Sequence, residues 1–262
     1  MAARYREPSS AKRAMVLCLS LVGMVALWWA ASWIYATPRI FPDPARVAGA
    51  MWSEIQSGKL PRHLWATLWR VIAAFGIAMV LGSVIGVLLG LWPRLNRWVD
   101  AWIVMALKLP ALVVIVLCYL WFGLNDLSAI VAVSFNKTAL VVVTMREGAR
   151  SLDHKVSEMA QVFGMSRWSR LRHVIVPQLA PFVAASARNG LAIIWKLVLV
   201  VEFMGRSNGI GFQIHLYFQM FDVTKVMAYS GSFIIVMLVI EYGLIQPIEQ
   251  RAQKWRLQKS SK

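Results

Sequence analysis

Six stretches of the chain stay apolar for about twenty residues at a time, near 14–36, 64–92, 99–122, 127–145, 182–204 and 226–247. A helix needs about 20 such residues to cross the ~30 Å hydrocarbon core of a bilayer. Each run is far longer than a barrel strand, so helices are the spanning form. The pattern predicts an all-α, polytopic bundle of about six spans. The first run follows a basic start, as a signal peptide does. It exceeds the ~7–15 apolar residues of a signal core, and no small-x-small cleavage site follows it. It is expected to be kept as a span.

The polar connections carry patterns of their own. In the outer segment 37–62, between the first and second runs, Asp43-Pro44 reads as a helix start, with proline at the first helical position. Val47, Met51 and Ile55 then repeat at helical spacing, which predicts a short surface helix. Within the second span, Gly82, Gly86 and Gly90 lie four apart on one face, where small residues let helix backbones approach closely. The longest connection, 146–181, is polar but striped. Val156, Met159, Ala160 and Phe163 share one helix face. Ser151 suits the N-cap of that helix and Asp153 its first turn. Gly164 suits its C-terminal stop. Ser166 can cap a second short helix carrying Trp168, Leu171 and Ile175 on one side and Arg167, Arg170 and Arg172 on the other. Pro177 and Pro181 are expected to end that helix and begin the next span. The stripe suits either the membrane surface and the protein's own inner ends, or a partner's groove.

Composition agrees with a membrane protein: of 262 residues, 59% are hydrophobic and only 15% charged, against about 25% charged in soluble domains. The net charge of +16 sits between the apolar runs. No nucleic-acid-binding motif accompanies it, so it is read as topological rather than as a nucleic-acid surface. With the N-terminus inside, the outer connections hold only Arg39, Arg46, Lys59, Arg62, Arg206 and Lys225, and the inner segments hold most of the rest. Both termini are therefore expected in the cytoplasm. Cys18 and Cys118 lie inside apolar runs, without the company a disulfide framework or a metal site needs. No cofactor is expected. The chain has no G-x-x-x-x-G-K-[ST], H-E-x-x-H or G-x-S-x-G, and His63, His154, His173 and His215 are scattered. An enzymatic centre is not expected, and any ATP dependence would come from a partner.

Glu158-Met159-Ala160, then Gly164, then Val174-Ile175-Val176-Pro177 resembles the EAA–G–I-x-L-P signature of permease subunits of bacterial ABC importers. Met159, Val174 and Val176 are its mild departures. The resemblance runs over about 64–247. Thr67-Leu68-Trp69-Arg70, Leu120-Trp121-Phe122-Gly123, Trp195-Lys196, Glu202-Phe203-Met204-Gly205 and Gly209-x-Gly211 are similar to the nitrate, sulfonate and taurine branch. Where that branch usually has prolines, this chain has Lys108, Val116 and Lys137. The resemblance implies a type I importer permease acting as a homodimer, with two cytoplasmic ATPase subunits and a periplasmic solute-binding protein as partners, in the inner membrane. It implies a small hydrophilic solute, such as a sulfonate, taurine or nitrate. It places ATPase coupling on Val156, Glu158, Met159, Ala160, Phe163, Gly164 and Pro177. It divides the chain into 1–63, a permease domain 64–247 with the coupling loop 146–181, and a basic tail 248–262.

Ionisable groups at membrane depth are costly and face cavities or one another. Lys108, Lys137, Lys196 and Glu202 are the candidates for a translocation path, with Lys108 and Lys137 favouring an anion; snorkelling or structural pairing is the alternative. An ion-coupled secondary transporter, relaying protons through Lys137, Glu202 and Glu241, is the rival reading. A membrane-embedded enzyme is the third.

Overall fold

The computed structural model describes residues 10–35, 37 and 39–245. The expectations for the N-terminal tail before Ser10, for Ala36, for the end of the last span at Pro247 and for the basic tail lie outside the described residues. Among the described residues eleven α-helices follow one another: α1 Ser10–Tyr35, α2 Pro44–Gln56, α3 Lys59–Leu91, α4 Pro93–Lys108, α5 Ala111–Phe122, α6 Asp126–Arg150, α7 His154–Val162, α8 Arg167–Arg170, α9 Val176–Gly205, α10 Ile210–Gln219 and α11 Val223–Ile240. No strand occurs among the described residues.

Among the described residues, four stretches are long and apolar enough to cross a membrane: Lys59–Leu91, Asp126–Arg150, Arg167–Gly205 and Val223–Gly243. The run at 99–122, expected to be one span, is instead α4 and α5, bent by 96° at a short break. Pro110 accounts for the break. It has no N–H to continue the ladder, and it forces the preceding Leu109 into extended backbone (ψ 125°). In α1 the described apolar stretch is Val22–Ile34, shorter than a span.

The packing centre is α3, α6 and α9, which touch one another pairwise. Their buried faces, with α5, α10 and α11, enclose Val71, Ala74, Ile115, Val133, Ile194 and Val198. The glycine stripe makes the α3–α6 contact. A Cβ on Gly82 would fall 2.5 Å from the Cβ of Val141, one on Gly86 2.7 Å from the Cβ of Met145, and one on Gly90 2.5 Å from the Cβ of Ala149. Each step of four along α3 is matched by four along α6, so the two helices run parallel and in step.

The surface helix α2 forms as expected: the Asp43 carboxylate accepts from Arg46 N–H at 2.9 Å, with Pro44 at the first position. Its buried Glu54 ties it to α11, accepting from the Tyr229 hydroxyl at 2.8 Å and pairing with Lys225 at 3.5 Å.

Candidate functional site

Two regions at opposite ends of the bundle hold nearly all the residues singled out from the sequence. The first is the striped loop. Here α6 runs on to Arg150, and Ser151 serves as its C-cap rather than as the N-cap of the next helix. Asp153 takes that role, its carboxylate accepting from Lys155 N–H at 2.9 Å. Both side chains can cap; the deciding factor is how far α6 extends, which local sequence does not fix. Asp153→Ala is expected to cost about 1 kcal/mol of local stability, as N-cap deletions do. Faster amide hydrogen exchange confined to α7 would register it.

The α7 helix ends as the glycine predicts. Gly164 has φ +65°, a left-handed value that only glycine adopts without strain. Met165 N–H reaches back to Ala160 O at 3.0 Å, and Gly164 N–H to Gln161 O at 3.0 Å, closing the helix in a Schellman-like turn. Ser166 caps α8 by accepting from Ser169 N–H at 3.2 Å. Pro177 and Pro181 do not interrupt the chain here. The backbone passes from α8 through a π-helical turn, Leu171–Ile175, straight into α9. The wider turn, with Pro177 near the start of α9 where an N–H is not needed, absorbs the first proline; Pro181 sits inside the helix.

The apolar stripe of α7 splits. Ala160 is buried at 4% exposure, while Val156, Met159 and Phe163 are exposed, Phe163 at 77%. Val162, which the periodicity did not single out, is more exposed still, at 86%. Glu158 and Pro177 are also exposed. One small residue thus seats the helix, and an apolar edge projects from it.

The second region joins three motif fragments that lie far apart in sequence. Arg70 of α3 is 2% exposed, and Glu202 of α9 is fully buried. Arg70 Nη1 donates to Glu202 Oε1 at 2.6 Å and to Asn208 O at 3.0 Å, while Nε donates to Asp126 Oδ1 at 2.7 Å. Arg70 Nη2 donates to the side-chain oxygen of Asn208. Arg206 joins Asp126 from the other side at 3.0 Å and donates to Leu124 O at 2.7 Å. The second oxygen of Glu202 accepts from the Thr67 hydroxyl and from Gly211 N–H, each at 2.9 Å. Thr67 in turn accepts from Ile210 N–H at 2.9 Å, and His63 accepts from Gly209 N–H at 3.0 Å. Two arginines face two carboxylates, so the cluster is neutral as a whole. Nearly every lone pair of Glu202 is filled, which is what lets a charge persist in so dry a place.

Gly209 and Gly211 have steric reasons to be glycine. Gly209 has φ +112°, and a Cβ there would fall 2.3 Å from the Glu202 carboxyl carbon. A Cβ on Gly211 would fall 2.3 Å from Leu199 O. Sequence reasoning named Glu202 as a path residue, Arg70 only as part of a motif and His63 only as a scattered histidine; it missed Asp126 and Asn208. The available signal was that Thr67…Arg70, Glu202…Gly205 and Gly209-x-Gly211 had been noted as separate motifs.

The four candidates for a translocation path do not share one environment. Glu202 lies inside the ion cluster. Lys108 is exposed at the α4–α5 bend, and Lys196 is exposed on α9. Lys137 is buried in α6 at 1% exposure, against Gly190 of α9.

Residues 78–251 match the family described as binding-protein-dependent transport system inner membrane component. Among curated proteins, an aliphatic sulfonates transport permease of Escherichia coli is 33% identical over 73% of each chain. The taurine transport system permease of the same organism is 25% identical over 96% of this chain and 93% of its own. A riboflavin transport system permease of Chloroflexus aurantiacus is 26% identical over 92% of this chain and 90% of its own. Two solved structures share the fold. An inward-facing MetNI methionine ABC transporter gives a TM-score of 0.65 at 17% identity, over 76% of this chain and 98% of that one. An amino acid ABC transporter with histidines gives 0.62 at 20% identity, over 77% and 98%.

Proposed function

Because the chain belongs to the binding-protein-dependent transport system inner membrane component family, we propose that α7 couples it to ATP hydrolysis in a partner. The protein is the permease subunit of an ABC importer, a multi-pass inner-membrane protein, and not an ion-coupled secondary transporter. In the proposed assembly two copies form the path, an ATPase subunit sits under each, and a solute-binding protein delivers cargo from outside. The solute is a small hydrophilic anion. Support for that class comes from the relatives named for sulfonates and for taurine, both sulfonic acids.

One observation carries the coupling role: the projecting edge of Met159, Val162 and Phe163 on α7, held at a fixed angle by the Gly164 turn. An apolar helix edge in water is unfavourable unless something covers it, and a groove on a partner is the form of cover a helix suits. The consequence for transport follows from continuity. From Arg167 to Gly205 the backbone is one 39-residue helical rod, roughly 58 Å long at 1.5 Å per residue. Its inner end begins three residues after Gly164, and its outer end carries Glu202. A displacement of α7 is therefore delivered to the ion cluster through a single rod.

Phe163→Asp and Glu158→Lys are the tests. In proteoliposomes holding the permease with its ATPase and binding protein, both variants are expected to insert normally. Both should lose most solute-dependent ATP hydrolysis, with Phe163→Asp lowering it about tenfold, the equivalent of ~1.4 kcal/mol of docking free energy. Wild-type ATPase stimulation in both variants would refute the coupling role.

A further inference from the structure

We propose that Lys137 is the residue that receives the solute's anionic group in mid-membrane, in the seam between α6 and α9. This rests on the anionic-solute reading above and adds a site to it. Lys137 lies eleven residues beyond the start of α6 at Asp126, about 16 Å in at 1.5 Å per residue. That is near the centre of a ~30 Å hydrocarbon core.

Its ammonium group is buried and has no hydrogen-bond partner among the described residues. The carboxylates at the outer end are already engaged. Asp126 and Glu202 face Arg70 and Arg206, and Glu54 faces Lys225 and Tyr229. A charge at such depth is costly, and where one occurs it marks a pathway more often than a packing role. Stability alone would favour methionine here.

The surroundings fit a temporary partner. The α9 position facing the amine is Gly190; a Cβ there would lie 2.8 Å from Lys137 Cε and 3.4 Å from Nζ. The absence of a side chain lets the tip of the lysine reach the α9 backbone. One turn further in on the same face of α9, the buried hydroxyl of Ser186 is also without a partner. An ammonium and a hydroxyl along one seam supply the two kinds of donor that an oxyanion takes up. In the structure the seam is closed. Because α9 is the rod that continues into the coupling loop, its displacement is what parts the seam and bares the pair.

The test uses the complete transporter in proteoliposomes, with radiolabelled ethanesulfonate and taurine as probes. Lys137→Met is expected to lower ATP-driven uptake about tenfold or more. In the same variant the thermal midpoint should rise, because an unpaired buried charge has been removed. Lys137→Arg should keep part of the uptake. A purely structural lysine would move uptake and stability together. Wild-type uptake by Lys137→Met overturns the proposal while leaving the anionic reading standing. Failure of the wild-type transporter to import either probe overturns the anionic reading and this proposal with it.

Discussion

Arg70→Met is expected to destabilise the folded chain by about 3–5 kcal/mol, the usual cost of removing one member of a buried ion pair. For a chain of this size that is about 6–20 °C in Tm, since 1 kcal/mol shifts the midpoint by about 2–4 °C. The loss is not of one contact. Without the guanidinium, Glu202 stays fully buried with no cation facing it directly, and the oxygens of Asn208 lose their donors. Glu202→Gln should cost less, about 1–3 kcal/mol. It keeps the shape and one acceptor, and Arg70 keeps Asp126. The double variant Arg70→Met with Glu202→Gln should recover much of the Arg70→Met loss, because it removes both charges of the pair. Strict additivity of the two single changes would show that the pair does not act as a unit. Thermal unfolding of the full chain in detergent, followed by near-ultraviolet circular dichroism, is a suitable measurement.

Gly86→Leu is the second change with a large expected effect. A Cβ at this position meets backbone, the carbonyl of Val142 at 2.6 Å and the amide of Arg146 at 3.1 Å. Neither can swing aside as a side-chain tip would. The helices must separate along the whole stripe, or α6 must shift in register and pull Arg146 away from Asn96 and Asp100. Overpacking of a tight contact costs about 1–3 kcal/mol, and more where backbone has to move. Gly76→Leu is the control, since a Cβ there meets nothing within 4 Å. Loss of a monodisperse elution profile for Gly86→Leu but not for Gly76→Leu is the expected result. Equal behaviour of the two variants would mean that the stripe does not set the helix spacing.

What was readable in the sequence was local or periodic. The glycines four apart announced a close helix contact, and Gly164 and Ser166 announced a turn and a cap. Where two residues could do the same local job, as Ser151 and Asp153 can, tertiary extension of the neighbouring helix chose between them. The apolar run at 99–122 was read as one span, because an unbroken stretch of that length masks the single Pro110 that bends it. The pairing of Arg70 with Glu202 spans 132 residues, and no local rule reports which of several buried charges will meet. Each had been noticed alone, Arg70 as the end of a motif and Glu202 as a path residue. Only the folded arrangement shows that the same arginine, carboxylate and two glycines form one object.

The bend at Leu109–Pro110 has a consequence for how the chain enters the membrane. Helices α4 and α5 have 16 and 12 residues, about 24 and 18 Å at 1.5 Å per residue, so neither spans the core unaided. The last carbonyls of α4 are left without helical acceptance by the bend, and they need cover from protein rather than from acyl chains. That cover includes α6, against which both short helices pack, and α6 is synthesised after them. During biogenesis this segment is thus expected to remain at the insertion machinery, incompletely partitioned, until the following helix emerges. Truncating the nascent chain after Phe122 should leave α4 and α5 extractable by alkaline carbonate, whereas truncation after Arg150 should make them resistant.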